Sequence, residues 1–131
     1  MTGTVFVSVC DRDKRSVGPV ALSLKNLGYD IMATPGTAKT LRAAGIPCEV
    51  VKPISGGHPN IQDMIAEGMI DFLINTPKGH SSRGDGSKLR SEAVNRGIDM
   101  ATTMSGATAL VQAIAALRAS ELRPHALQDL K

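Results

Sequence analysis

The stretch Ala33-Thr34-Pro35-Gly36-Thr37-Ala38 joins two segments of different character. Before it, Gly28-Tyr29-Asp30-Ile31-Met32 reads as a short buried strand; after it, Lys39-Thr40-Leu41-Arg42-Ala43-Ala44 reads as a helix. A strand that ends in a small, hydroxyl-rich turn and feeds a helix is an anion site in outline. The N–H groups of a first helical turn have no internal partners, and the helix dipole adds to their positive field. The same hexapeptide also reads as a tight turn in which Thr37 is an ordinary N-cap.

Working outward, the strand–turn–helix unit recurs. Thr4-Val5-Phe6-Val7-Ser8-Val9 is a nearly continuous apolar run rich in β-branched residues, the pattern of a strand covered on both faces. A polar loop, Cys10 to Arg15, leads to a helix with Val17, Val20, Ala21, Leu24 and Leu27 on one face. Ser16 as N-cap places Pro19 within the first turn, where proline is tolerated, and Gly28 is the stop. The second helix ends near Gly45, and Ile46-Pro47-Cys48-Glu49-Val50-Val51 predicts a third strand, with Pro47 at its start or on an edge. Lys52 to Pro59 is an irregular Gly/Pro loop, and Asn60 caps a helix that turns Ile61, Met64 and Ile65 inward before Gly68.

Ile70-Asp71-Phe72-Leu73-Ile74 is a fourth strand, followed by a polar loop from Asn75 to Gly86. A helix over 88–96 places Leu89, Ala93 and Val94 toward the core and stops at Gly97. Ile98-Asp99-Met100-Ala101-Thr102 is the fifth strand, and Ser105 caps a last helix lined by Leu110, Val111, Ile114 and Leu117. The tail after Ser120 is polar and contains Pro124. Strands and helices alternating in this way predict an α/β fold: a three-layer, Rossmann-like sandwich with a parallel sheet and helices on both faces, in one domain spanning 1–131 with 120–131 peripheral. Ligands of such folds bind beyond the carboxyl ends of the strands, near a switch point in strand order.

Bulk properties narrow the function classes. The 131 residues carry a net charge of +3 but no basic run or stripe, and the aromatic residues are Phe6, Phe72 and Tyr29 alone. Neither the charge pattern nor the lack of stacking residues suits nucleic-acid binding. Cys10 and Cys48 form neither a disulfide framework nor a metal-ligand spacing. No apolar run reaches membrane-spanning length, and Met1-Thr2-Gly3 leads straight into a strand, so a reduced, cytoplasmic setting is expected.

Beyond the strand ends, Lys14, Thr34 and Thr37 together would make a cationic, hydroxyl-lined phosphate pocket, and Lys52, Asn75 and Thr76 could reach a sugar or base. Singly, each lysine is also read as a solvated surface charge, and Asn75 as a strand-end residue bonded to its own backbone. His58 and His80 have no acid beside them in a triad-like pattern, Asp11, Asp13 and Asp85 read as caps or loop anchors, and Cys10 reads as a small buried strand-end residue. No catalytic residue and no metal site are assigned.

Six motifs then carry a resemblance along nearly the whole chain. They are Ser8-Val9-Cys10-Asp11-Arg12-Asp13-Lys14, Ala33 to Ala38, Gly57-His58-Pro59-Asn60-Ile61-Gln62-Asp63, Ile74-Asn75-Thr76-Pro77-Lys78-Gly79, Asp85-Gly86 with Leu89-Arg90, and Thr102-Thr103 with Gly106-Ala107. In order and spacing the chain resembles the methylglyoxal-synthase-like domain, and more closely the C-terminal allosteric domain of the carbamoyl-phosphate synthase large chain. The resemblance implies a five-stranded parallel sheet of order 3-2-1-4-5 and a nucleotide-monophosphate effector, UMP or IMP. By motif position it implies Lys14, Thr34 and Thr37 on the phosphate and Asn75 on the ribose or base side. A lysine on the loop after strand three also contacts ligand in the family; Lys52 is the nearest match, one position early against some members, and Pro77 stands where some members carry a hydroxyl.

The resemblance implies no cofactor for this domain, whereas the parent enzyme uses ATP with Mg or Mn. Its implied partners are the rest of the large chain and the glutaminase small chain, in an enzyme that serves pyrimidine and arginine synthesis. Free-standing methylglyoxal synthases, which act on dihydroxyacetone phosphate, use an aspartate in a Gly-Gly-Asp loop and a histidine near the phosphate lysine. Here the corresponding residues are His58, in Gly56-Gly57-His58, and Cys10. The phosphate half of the site is kept and the chemical half is not, so a regulatory sensor is expected, with a lyase of the methylglyoxal synthase type as the alternative. A cyclohydrolase-type domain of purine synthesis shares the first-strand and Thr-Gly-Thr motifs, but the Pro-Asn-Ile-Gln-Asp and Asn-Thr-Pro stretches side with the synthase domain.

Overall fold

A computed structural model describes residues 3–77 and 85–122. Its strands are β1 (Thr4–Ser8), β2 (Asp30–Ala33), β3 (Glu49–Val50), β4 (Phe72–Asn75) and β5 (Asp99–Ala101). They form one parallel sheet in the order β3-β2-β1-β4-β5, as expected. The order reverses at β1, which pairs with β2 on one side (Val7 opposite Ala33) and with β4 on the other (Ser8 opposite Asn75). The helices are α1 (Val17–Asn26), α2 (Pro35–Ala43), α3 (Ile61–Ala66), α4 (Asp85–Arg96) and α5 (Met104–Leu122).

Side chains that alternate along β1 go to opposite faces of the sheet. Val5 and Val7 join Leu24 of α1, Leu41 of α2 and Val111 of α5 in one core. Phe6 goes the other way, with Leu73, to Ile61 and Ile65 of α3 and Leu89 of α4. Both faces of the sheet are therefore covered, which is why β1 and β4 read as unbroken apolar runs. Gly28, just past α1, has φ 95°, a left-handed conformation that a Cβ would strain, and it turns the chain directly into β2.

Several local expectations are corrected. α2 begins at Pro35, four residues before the predicted helix, with Thr34 at the N-cap position instead of Thr37. Proline suits a first helical position, since its fixed φ is helical and its missing N–H had no partner to lose. Thr103, not Ser105, caps α5: its hydroxyl accepts the Gly106 N–H at 2.9 Å. α4 starts at Asp85. On α4 the buried face is carried by Leu89 and Ala93, one turn apart, and Val94, a further 100° round the helix, is 74% exposed. Leu117 is 64% exposed, because α5 has 19 residues and so runs about 28 Å, past the end of strands of at most five. There Arg118 donates to the Leu27 carbonyl and lies 4.8 Å over the Tyr29 ring, which meets Phe72 edge-on. β3 is only two residues long and exposed, an edge strand held to β2 alone.

Candidate functional site

The carboxyl ends of β1, β2 and β4 lie side by side, and the residues that follow them tie together. Thr34 stands at the N-cap position of α2 but does not cap it. Its hydroxyl donates instead to Ser8 Oγ at 3.0 Å and lies 3.5 Å from Thr37 Oγ1. Thr37, in the first turn of α2, is buried, and its Oγ1 accepts the Val9 N–H at 3.1 Å. Three hydroxyls, from the end of β1, the residue after β2 and the first turn of α2, are thus gathered at a helix N-terminus whose first-turn N–H groups have no side-chain cap.

Lys14 brings its charge to the same place. Its Nζ donates to the Val9 carbonyl at 3.1 Å and pairs with Asp11 Oδ1 at 2.8 Å. A Cβ on Gly36 would lie only 3.8 Å from that Nζ, so the ammonium sits over the first turn of α2. Cations are ordinarily favoured at the other end of a helix. An ammonium, an uncapped helix N-terminus and three hydroxyls in one spot are the kind of donor set that an anion with several acceptor oxygens requires.

The other predicted residues are placed as follows. Asn75 ends β4 beside Ser8, and its amide nitrogen is 3.3 Å from where a Cβ on Gly86 would stand, so it lies against the start of α4. Thr76 is buried, with its hydroxyl turned to the loop after β1: Oγ1 accepts the Cys10 N–H at 2.9 Å and lies 3.7 Å from Cys10 Sγ. Lys52 is exposed on the loop leaving β3, on the outer side of β2, and its carbonyl accepts the Ile61 N–H. Lys14, Thr34 and Thr37 are therefore brought together, Asn75 is adjacent through β1, and Lys52 follows Val51, whose N–H donates to the Ala33 carbonyl at 2.9 Å.

Sequence reasoning gave no role to Ser8, although a lone hydroxyl closing an apolar strand was the available signal. Nor did it connect Asp13 with Cys10. The Cys10 thiol donates to Asp13 Oδ2 at 3.2 Å. That hydrogen bond and then the Thr76 hydroxyl hold the Asp13 carboxyl below its ordinary range, against an opposing effect of burial, and the charge of Arg12 adds least.

His58 does have a carboxylate near it. Its Nδ1 is 2.8 Å from Asp63 Oδ2, five residues on, which also accepts the Asn60 N–H at 2.8 Å. The His58 hydrogen bond first and that N–H second keep the Asp63 carboxyl low. Asn60 Oδ1 in turn accepts the Gln62 and Asp63 N–H groups, so the pair closes a capping box on α3. His80 lies outside the described residues, as do 78–84 and the tail from 123. Among the described residues no group of three or more His, Cys, Asp or Glu side chains could hold a metal, and both cysteines are free. No described helix is long and apolar enough to cross a membrane.

The model of the MGS-like domain matches residues 17–102. The chain belongs to the MGS-like domain family. Relatives of this MGS-like domain include the C-terminal section of the carbamoyl phosphate synthase large chain of Methanopyrus kandleri, 44% identical over 131 residues, 99% of this chain and 24% of that protein. The corresponding section from Methanocaldococcus jannaschii is also 44% identical, over 99% of this chain and 21% of its own length. The large chain of Synechocystis is 43% identical over 129 residues, 12% of its length. The domain thus spans about a quarter or less of the curated relatives it matches. Among solved structures, methylglyoxal synthase from Elizabethkingia anophelis superposes with a TM-score of 0.67 at 18% identity, covering 84% of this chain and 77% of that one. ForH gives 0.60 at 19% identity, with 86% and 79% covered. At such identities these two likenesses establish the fold of the domain alone.

Proposed function

We propose that this MGS-like domain is the regulatory module of a carbamoyl-phosphate synthase large chain and senses a nucleoside monophosphate, UMP or IMP, by its phosphate. The observation that carries this reading is the Lys14 ammonium held over the uncapped first turn of α2, beside the hydroxyls of Ser8, Thr34 and Thr37. A phosphate there accepts from the ammonium, the hydroxyls and the α2 N–H groups, and displaces Asp11 as the counter-charge of Lys14. Asn75, which offers a donor and an acceptor, stands on the side where a ribose or base would extend, with Lys52 on the loop that leaves β3 beside the end of β2 and Thr76 behind the loop.

The likeness to carbamoyl phosphate synthase large chains supports the regulatory assignment. In that setting the partners are the remainder of the large chain and the glutaminase small chain, and the parent reaction consumes ATP with Mg or Mn. The site works in the cytoplasm. A sensor shifts its parent only as far as its ligand binds two states of that parent unequally, so the effector's differential affinity is the regulatory quantity. The loop that carries a catalytic aspartate in methylglyoxal synthases reads Gly56-Gly57-His58 here, which supports a sensor over a lyase.

Calorimetric titration with UMP and with IMP tests the reading. Saturable binding of either one, weakened by Lys14→Ala and by Thr34→Val, is the expected result. Absence of binding by both, or conversion of dihydroxyacetone phosphate to methylglyoxal by the protein, overturns it.

A further inference from the structure

We propose that Asp13 is a positioning residue for the anion site: held by the Cys10 thiol and linked through Cys10 to Thr76, it fixes the turn that sets the Lys14 ammonium over α2. The inference builds on the anion-site reading above and concerns how that site is pre-formed.

Lysine is a long, flexible side chain, and a lysine free to sample its rotamers is a poor pre-formed receptor. Lys14 follows directly on a 3₁₀ turn, Asp11–Asp13, that leaves β1. Within the turn the Asp13 N–H donates to the Cys10 carbonyl at 3.0 Å and the Lys14 N–H to the Asp11 carbonyl at 3.2 Å. Those bonds shape the turn but do not anchor it to the sheet.

The anchor is made of side chains. Thr76, at the end of β4, accepts the Cys10 N–H at 2.9 Å; the Cys10 thiol donates to Asp13 Oδ2 at 3.2 Å. Thr76, Cys10 and Asp13 thus form a relay from the neighbouring strand to the residue before Lys14. Asp13 supplies the acceptor in that relay. The low-lying Asp13 carboxyl fits the role, since an ionised acceptor makes the stronger hydrogen bond. The charge beside it is Arg12, whose Nε is 3.9 Å from Oδ1 on the solvent side. Asp13 does not touch the proposed phosphate position; it acts through the turn.

The test reads Lys14 directly. The protein and its Asp13→Ala, Asp13→Asn, Thr76→Val and Thr76→Ser variants are briefly acylated with an N-hydroxysuccinimide ester, and modification of Lys14 is measured by mass spectrometry relative to the exposed Lys39 on the same chain. Each protein is also titrated with inorganic phosphate and with UMP. Asp13→Ala and Thr76→Val are expected to raise the Lys14-to-Lys39 ratio several-fold and to weaken anion binding about tenfold. Thr76→Ser, which restores the hydroxyl, is expected to match the parent. Asp13→Asn keeps a neutral acceptor of the same shape and falls between; it also decides the matter if Asp13→Ala fails to fold. An unchanged ratio in Asp13→Asn and in whichever of the other two variants folds overturns the proposal. A raised ratio with no binding of phosphate or UMP by any of the proteins, the parent included, upholds the positioning role and removes the anion reading instead.

Discussion

The Val9 amide donates to the Thr37 hydroxyl at 3.1 Å, across 28 positions of sequence. The bond stitches the first turn of α2 to the end of β1, and both partners are buried. It explains why a threonine with almost no exposed surface sits in the turn that first suggested an anion site.

Thr37→Val keeps the shape and removes the acceptor, leaving a buried N–H without a partner. The expected loss is about 1–3 kcal/mol of stability, read from urea unfolding. Thr37→Ser, which keeps the hydroxyl, is expected to recover most of it. An equal loss in both variants would point to the methyl group and not to the hydrogen bond.

Lys14→Ala removes the ammonium placed over the first turn of α2. UMP affinity is expected to fall about tenfold or more, as for the loss of a charged hydrogen bond. The parent's own affinity is expected to weaken on going from low to moderate salt, because part of the attraction is between charges near solvent. Calorimetry at two ionic strengths checks both effects.

Gly86→Ala separates the two ends of the ligand. The added methyl would lie 3.3 Å from the Asn75 amide nitrogen, close enough to push it aside by a few tenths of an ångström. A few-fold loss of UMP affinity is expected, with inorganic phosphate binding unchanged, since phosphate does not extend to Asn75.

Asn60→Ala tests a residue outside the site. Asn60 is buried, caps α3 through Oδ1, and donates from its amide to the Gly57 carbonyl at 2.8 Å. Losing the cap and leaving that carbonyl short of a donor is expected to cost about 2 kcal/mol in thermal or urea unfolding. Asn60→Asp keeps the cap but not the donor and is expected to lose less.

The acid side of the stability curve follows from Asp13 and Asp63. Both carboxyls lie below their ordinary 3.8 in the folded protein. The unfolded chain therefore takes up protons first as the pH drops, and the stability these groups supply is complete above that value and lost as the pH falls through the folded one. The urea midpoint is expected to be insensitive to these two groups from neutrality to about pH 5 and to decline below about pH 4. Asp13→Asn is expected to remove part of that decline.

The sheet and its order were legible because period-2 and period-3.6 apolar patterns are local, and five strand–helix alternations leave few topologies. Helix starts were less so: Pro35 opens α2, where the hexapeptide reads as a turn, because proline at a first helical position and proline in a turn look alike in a string. Val94 was misplaced since one step round a helix separates core from solvent, and Leu117 since nothing local says where a sheet ends beneath a helix. In the site, Lys14, Thr34 and Thr37 were visible as unusual residues at strand ends. The tasks of Ser8, Asp13 and Thr76 were not, because hydrogen bonds such as Cys10 to Thr76 span 66 positions and leave no pattern in composition or spacing.

Two consecutive amides, Val9 and Cys10, are held from opposite sides, the first by a hydroxyl that follows β2 and the second by one that follows β4. The segment leaving β1 is therefore a built-in pair of gauges. Hydrogen exchange at Val9 reports on how firmly the β2–α2 side is seated, and exchange at the next residue reports on the β4 side. Any ligand, subunit or substitution that loosens one flank and not the other will split two neighbouring rates, so the direction from which a signal arrives can be read within a single dipeptide.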